Sequence, residues 1–283
     1  MVRKARIHDL PFVFNIYTEH LKELGKESFD WLKAIVRSKS KRLLVLVCEL
    51  YGEIVGFIIA YRKARRAYIE SLAVSSRYRG MGVGTKLLTE LEGIMAASGV
   101  NFVYLSVKSW NTSALNFYLN RGYSIRGVVL LMCAKPSDID IPATVLSSSY
   151  TVLDLSAGRV KSLVNRPITW WSNLLDDVDK FIYRKFYREE RTLVVKRDKA
   201  VKALVMYNVN DHKLVVDSLA LSSYSALEAF TLTLYYLKNI AMAHNTSLVE
   251  IPVDASKKRL VTLLENIGFR VCEVEYMMSK ELA

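Results

Sequence analysis

The segment Ile69-Glu70-Ser71-Leu72-Ala73-Val74-Ser75-Ser76 returns in the second half of the chain as Val216-Asp217-Ser218-Leu219-Ala220-Leu221-Ser222-Ser223. Each copy follows two short β-rich runs joined by a polar turn. In the first half these are residues 42–47 and 54–60, turned at Tyr51-Gly52-Glu53; in the second they are 192–196 and 201–206, turned at Arg197-Asp198-Lys199. Such runs predict hairpins. The match continues downstream as helix, strand, helix: 83–97, 102–107 and Thr112 to Asn120 in one half, about 224–243, 248–253 and Lys257 to Asn266 in the other. The same spacing separates Leu105 from Gly122 and Ile251 from Gly268, with an aromatic residue after each glycine. A repeat of this extent predicts two domains of one design, and the alternation of strands and helices predicts an α/β layer structure in each. The polar stretch after Lys135, with Pro136 and Pro142, reads as the connection. We therefore expect a first domain over 1–135, a linker over 136–149 and a second domain over 150–283.

Only the first copy runs into a glycine-spaced basic turn, Arg77-Tyr78-Arg79-Gly80-Met81-Gly82-Val83-Gly84-Thr85. A strand, then this turn, then a helix leaves several backbone N–H groups unpaired at the positive end of the helix dipole, which suits phosphate groups. The glycines at 80, 82 and 84 admit a ligand to the backbone and permit positive φ. A dinucleotide-binding unit wants this turn after the first strand and an acid about 20 residues on; here it follows three strands, and Ser98-Gly99-Val100-Asn101 offers no acid. Gly84-Thr85-Lys86 has the wrong order for a P-loop. Leu87, Leu88, Leu91, Ile94 and Met95 recur at helical spacing and read as core.

Composition bounds the rest. The formal charge of +12 on 283 residues favours anionic ligands, although solvated surface explains the excess equally well. No aromatic-interleaved basic motif argues for nucleic acid. No apolar run reaches the ~20 residues of a membrane span, and no signal-peptide pattern opens the chain, so a soluble cytoplasmic protein is expected. Cys48, Cys133 and Cys272 lack metal-ligand spacing and read as buried reduced thiols, and the histidines at 8, 20, 212 and 244 form no ligand pair. No metal site is expected, and nothing specifies an oligomeric state.

Together, Leu72-Ala73-Val74, the turn Arg79-Gly80-Met81-Gly82-Val83-Gly84, the run Asn111-Thr112-Ser113-Ala114-Leu115-Asn116-Phe117-Tyr118 and Gly122-Tyr123 resemble the GNAT superfamily of acyl-CoA-dependent N-acyltransferases. The first half is most similar to protein N-terminal acetyltransferases, including the ribosomal-protein alanine type. The resemblance implies two tandem GNAT-like domains, each a mixed, mostly antiparallel sheet flanked by helices. It implies acetyl-CoA, its pyrophosphate on the amides of Arg79, Gly80, Met81, Gly82, Val83, Gly84 and Thr85. The pantetheine arm would lie along Leu72, Ala73 and Val74, in a V where that strand splays from 102–107. The resemblance places Asn111 on the cofactor arm, although Asn111 also reads as a helix cap. It makes Tyr118 the acid at the sulfur; an interfacial tyrosine is the plainer reading. Relatives carry Glu or His where this chain has Ser106, which leaves the general base open between Tyr68 and Glu70. Glu70 reads equally as an ion-pair partner of Arg62, Lys63, Arg65 or Arg66.

The second half departs at four of these positions. Tyr224-Ser225-Ala226-Leu227-Glu228-Ala229-Phe230 stands where the glycine turn stood, Leu264 where Tyr118, Lys257 where Asn111 and Pro252 where Ser106. A degenerate, non-catalytic GNAT-like half is expected. Its Trp170-Trp171 pair and the stretch Phe181-Ile182-Tyr183-Arg184-Lys185-Phe186-Tyr187-Arg188 read as a packed helix or, alternatively, as a peptide or RNA surface. The functional expectation is acetyl transfer to a primary amine, foremost a protein N-terminus. The alternatives are a small-molecule amine N-acetyltransferase with its acceptor pocket between the halves, and a coenzyme A-sensing regulator without turnover.

Overall fold

The computed structural model describes residues 1–25, 27–141, 149–156, 191–210, 212–222 and 227–282. The aromatic-basic stretch, Trp170-Trp171, Pro142 and the residues 223–226 lie outside the described residues.

The chain forms two compact units. Unit 1 holds Met1–Arg126 and the residues from Met277 onward; unit 2 holds the segment from Gly127 and that ending at Tyr276. The division thus falls inside a strand, not at residue 135. Both units are mixed sheets flanked by helices, as expected.

Unit 1 opens with β1 (Val2–Lys4), α1 (Leu10–Thr18), α2 (Leu21–Leu24) and α3 (Phe29–Arg37). These three helices carry no motif that sequence reading singled out. Ser28 caps α3 by accepting from the Trp31 amide at 3.1 Å. Then come β2 (Leu43–Leu50), β3 (Glu53–Lys63), β4 (Arg66–Val74), α4 (Val83–Ala97), β5 (Phe102–Lys108) and α5 (Thr112–Leu119). The sheet runs β1-β2-β3-β4-β5. It is antiparallel except for β4 against β5. α4 lies on it through Leu87, Leu88, Leu91 and Met95, all buried, while Ile94 is half-buried.

Unit 2 is built from β6 (Ser124–Ala134), β7 (Tyr150–Ser156), β8 (Arg191–Arg197), β9 (Ala200–Asn210), β10 (Lys213–Leu221), α6 (Leu227–Ala243), β11 (Leu248–Asp254), α7 (Lys258–Asn266) and β12 (Arg270–Glu281). Its sheet runs β6-β11-β10-β9-β8-β7. β6 enters it by antiparallel pairing of Val129 to Ala134 with Asp254 to Val249, and β12 ends in unit 1. The beginning of the expected linker is packed: Ile139 and Ile141 are buried and Lys238 Nζ donates to the Ile139 carbonyl at 2.6 Å.

The repeat is visible down to single bonds. β4 meets β5 in parallel over Arg66, Ala67 and Tyr68, and β10 meets β11 in parallel over Lys213, Leu214 and Val215. A bulge sits at Glu70 in β4, between Ile69 and Ser71, and at Asp217 in β10, between Val216 and Ser218. Ser75 N donates to Val55 O at 2.9 Å, and Ser222 N to Lys202 O at 2.9 Å. The hydrophobic repeat in the sequence therefore encodes one backbone plan twice.

Cys48 and Cys133 are buried, but Cys272 is exposed, against the expectation for all three. Burial, and then the neighbouring Cys272 thiol, push the Cys133 thiol upward. Among the described residues no His, Cys, Asp and Glu group could hold a metal, and no helix is long and apolar enough to cross a membrane.

Candidate active site

β4 and β5 share only three paired positions, ending at Tyr68 opposite Tyr104. Beyond them β4 runs on to Val74 and β5 to Lys108 without pairing, so the two strands part. The expected V is present. Along β4 the residues alternate, with Ala67, Ile69, Ser71 and Ala73 buried and Tyr68, Glu70, Leu72 and Val74 half-buried. The two candidate bases therefore lie on the same face of the strand as Leu72 and Val74. The bulge leaves Glu70 opposite no single residue of β3, a device that re-aims a side chain and increases local twist. Of the cations weighed as partners for Glu70, Arg62 directs its guanidinium elsewhere, to the carbonyls of Lys41 and Ser98.

At the end of β4 the chain makes a short 3-10 turn over Ser76–Tyr78 and then the glycine turn. Gly80 and Gly82 hold φ of +75° and +76°, and a Cβ built on either meets nothing within 4 Å. Gly82 is the N-cap of α4 and gives it no side-chain cap. Among the described residues, no amide from Arg79 to Thr85 donates to a protein acceptor. The first intrahelical bond runs from Lys86 N to Gly82 O at 3.0 Å. Seven adjacent N–H groups without protein acceptors, at a helix N-terminus and open at Gly80 and Gly82, form a cradle that suits an anion. Gly84 differs from its neighbours. It lacks positive φ, and its Cβ would press on the Phe117 ring at 3.3 Å, so its smallness serves the packing of α4 on α5.

Tyr118 is 7 % exposed and packs edge-on against Phe117 and Tyr123. Burial pushes its phenol well above the ordinary tyrosine value, with the nearby Arg121 pulling weakly the other way. Its hydroxyl has no hydrogen-bond partner among the described residues and stays protonated at neutral pH. Asn111 caps α5, its Oδ1 accepting from the Ala114 amide at 3.1 Å. That leaves its side-chain NH2 as the group that can face a ligand. Ser106 lies on the half-buried face of β5 with Tyr104 and Lys108.

Three side chains that sequence reading passed over meet this site. Arg121 follows α5; its guanidinium lies 3.7 Å from the Phe117 ring, donates to the Phe117 carbonyl and to Thr85 Oγ1, and leaves Nε buried without a partner. It is a cation beside the amide cradle. Glu19 and His20, just past α1, hold the chain on both sides of the 3-10 turn. Glu19 accepts from the Ser76 amide at 2.8 Å, from Ser76 Oγ at 3.0 Å and from Ser75 Oγ at 3.2 Å. The Ser76 amide bond is the main cause of its carboxyl lying below the usual range. His20, buried, places Nε2 2.9 Å from the Val74 carbonyl and Nδ1 3.0 Å from Arg79 Nη2. A carbonyl only accepts, so Nε2 carries the proton and Nδ1 accepts from Arg79.

In unit 2 the corresponding places are filled differently. Leu264 is fully buried where Tyr118 stands, and Lys257 starts α7 without a side-chain cap. Pro252 lies within β11, opposite Leu131. Glu228 occupies the first turn of α6 and accepts from Tyr150 Oη at 3.0 Å. A carboxylate there opposes an anion at a helix N-terminus.

Comparison with known proteins agrees with this geometry. The sequence profile of the acetyltransferase (GNAT) family matches residues 6–123. An uncharacterized N-acetyltransferase of Methanocaldococcus jannaschii is 37% identical over 81 residues, 28% of this chain and 52% of that relative. The chain thus spans about half that relative's length. N-alpha-acetyltransferase 60 of Xenopus tropicalis is 30% identical over 168 residues, covering 45% of this chain and 69% of the relative. Among solved structures, a tandem GNAT protein from the clavulanic acid biosynthesis pathway aligns over 100% of this chain and 98% of its own, with a TM-score of 0.73 at 12% identity. That likeness is one of fold.

Proposed function

The chain belongs to the acetyltransferase (GNAT) family, and from that membership we propose that unit 1 transfers an acetyl group from acetyl-CoA to a primary amine, with a protein or peptide N-terminus as acceptor. The observation that carries this reading is the run of unpartnered amides from Arg79 to Thr85, open at Gly80 and Gly82, beside the parted strands β4 and β5. A diphosphate fits there because the amides lack acceptors and no Cβ obstructs approach at Gly80 or Gly82. Acetyl-CoA supplies the acyl group in activated form, as a thioester.

The residues divide the work as follows. The amides of Arg79, Gly80, Met81, Gly82, Val83, Gly84 and Thr85 hold the diphosphate, with Arg121 as an added cation. The free edge of β4 at Leu72, Ala73 and Val74 binds the extended arm as a further strand would bind, and an amide near Leu72 polarises the carbonyl. The Asn111 NH2 steadies the same arm. Tyr118 keeps its proton until a thiolate leaves and then donates it from Oη. Tyr68 and Glu70 hold a water that takes the proton of the incoming amine. An α-amino group titrates near ~8 and a lysine near ~10.4, so a weak base of this kind suits an N-terminus better than a side chain. The N-alpha-acetyltransferase names among the relatives support the same acceptor.

Thiol release from acetyl-CoA, measured against a panel of N-terminal peptides, lysine peptides and small amines, tests the proposal. Turnover greatest with α-amino peptides is expected. Ser106 in place of an acid favours one other reading, in which coenzyme A is bound and sensed. Tight binding of coenzyme A with no thiol release on any amine would establish that reading and overturn ours.

A further inference from the structure

The far end of α4, away from the glycine turn, borders a concavity of about 430 Å³. Its floor is apolar: Ile35, Leu44 and Met95 are buried and Ile94 half-buried. Its rim carries Lys4, Lys39, Lys41, Arg42 and Arg62, and no carboxylate lines it. Among the described residues none of these five cations forms an ion pair. Like charges around one hollow without counter-charges repel one another, and an anion there would relieve that repulsion. Arg62 sets the frame, since Nε donates to the Lys41 carbonyl at 2.9 Å and Nη1 to the Ser98 carbonyl at 3.2 Å, tying the rim loop to the end of α4.

The loop Ser38-Lys39-Ser40-Lys41-Arg42 alternates hydroxyl and cation. Ser38 Oγ accepts from the Ser40 amide at 3.2 Å and Ser40 Oγ from the Arg42 amide at 3.2 Å. Both hydroxyl protons remain to be donated. The carbonyls at the end of α4 would ordinarily repel an anion. Here the Ile94 carbonyl accepts from Ser98 N and Oγ, Met95 from Val100 N, Ala96 from Gly99 N and Ser98 from Arg62, so that negative end is neutralised.

We propose that this concavity binds a small phosphorylated anion of nucleotide size, at a site separate from the amide cradle. Its volume lies in the range of small-molecule sites, about 300–1,000 Å³. A hollow of this volume with an apolar floor takes a compact molecule with one apolar end, whereas a polymer backbone is followed by an extended groove. The site stands on its own residues and does not depend on acetyl transfer.

The test is calorimetric titration of ATP, and of inorganic triphosphate, into the full chain saturated with coenzyme A. One ATP bound per chain is expected, and the same binding in Gly82→Glu. In Lys39→Ala/Lys41→Ala/Arg42→Ala, affinity for ATP and triphosphate falls about tenfold or more, with coenzyme A binding and thermal unfolding unchanged. Lys41→Glu, a single change on an exposed side chain, lowers affinity in the same direction. No ATP or triphosphate binding beyond what coenzyme A displaces, or equal binding in the triple variant, overturns the site. Tighter binding of single-stranded RNA, with affinity rising with length and lost in the triple variant, overturns the small ligand in favour of a polymer.

Discussion

Gly80 and Gly82 differ from Gly84 in what they contribute. The first two sit in the left-handed region over open space, and the third is a gap for Phe117. Placing another residue at 82 costs about 1–2 kcal/mol of backbone strain, while its Cβ meets nothing within 4 Å. Gly82→Ala is therefore expected to fold, with a modest loss of acetyl-CoA affinity. Gly82→Glu adds a carboxylate beside the amides and should abolish coenzyme A binding while keeping its unfolding temperature within a few degrees; calorimetry and thermal unfolding together check this. Tyr118 is tested differently. If its Oη supplies a proton to the leaving group, Tyr118→Phe lowers kcat by about 10²-fold and leaves KM for acetyl-CoA nearly unchanged; equal turnover removes the acid. The glycine turn and Tyr118 are legible in sequence because each sits at fixed spacing within one strand-turn-helix run. Arg121, Glu19 and His20 are not, because their roles arise from contacts with a turn distant in sequence, such as the 2.8 Å bond from the Ser76 amide to Glu19. No local pattern marks such a residue.

Among the elements, the junction of β1 and α1 shows what the short N-terminal segments do. Asp9, buried, accepts from Arg3 Nη1 at 2.7 Å, Arg3 Nη2 at 2.9 Å and the Arg6 amide at 2.7 Å. Burial alone would raise its carboxyl, but the bonds from Arg3 and Arg6 outweigh burial and hold it below the usual carboxylate range. A group depressed in the folded state stabilises above its unfolded value, near ~4, and that contribution is lost as pH falls through the lower folded value. Asp9→Asn should therefore cost about 1–2 kcal/mol in urea denaturation at pH 7, since it removes the carboxylate from this pair while Arg3 keeps Glu49 as a partner at 3.0 Å. The gap to the unsubstituted protein should close below about pH 4. The end of α1 carries the complementary role toward the site. His20→Gln loses the fixed ring between Val74 and Arg79, and a KM for acetyl-CoA raised about tenfold with little change in kcat is expected from the loss of one or two such bonds. A change confined to kcat would mean that His20 acts in the chemistry instead. The hairpins and the two long helices are read correctly from hydrophobic period. Of the three N-terminal helices, α2 spans only four residues, too few to show a period, and all three precede the repeat that marks the later elements.

For the whole molecule, the repeat fixes what unit 2 can do. Its backbone reproduces unit 1 to the bulge at Asp217 and the bond from Ser222 to Lys202, so the plan is retained while the residue types at the places of the glycine turn, Asn111 and Tyr118 differ. Those differences are legible in the sequence because they lie in residue types at matched positions. The sequence does not reveal that β6 joins the second sheet while the chain's last strand ends in the first, because an apolar run specifies a buried strand and not the sheet that takes it. Leu264 offers no proton, and Glu228 in the first turn of α6 opposes a diphosphate. Two competent units would bind two molecules of coenzyme A per chain with comparable affinity. One competent unit gives a stoichiometry of one, and that is the expected calorimetric result with the full chain. The same titration on Gly82→Glu should then show no coenzyme A binding at all, because no second cradle remains. Residual binding at a stoichiometry of one in that variant, persisting when Lys39, Lys41 and Arg42 are also changed to Ala, would place a working site in unit 2 and return the second half to the catalytic account.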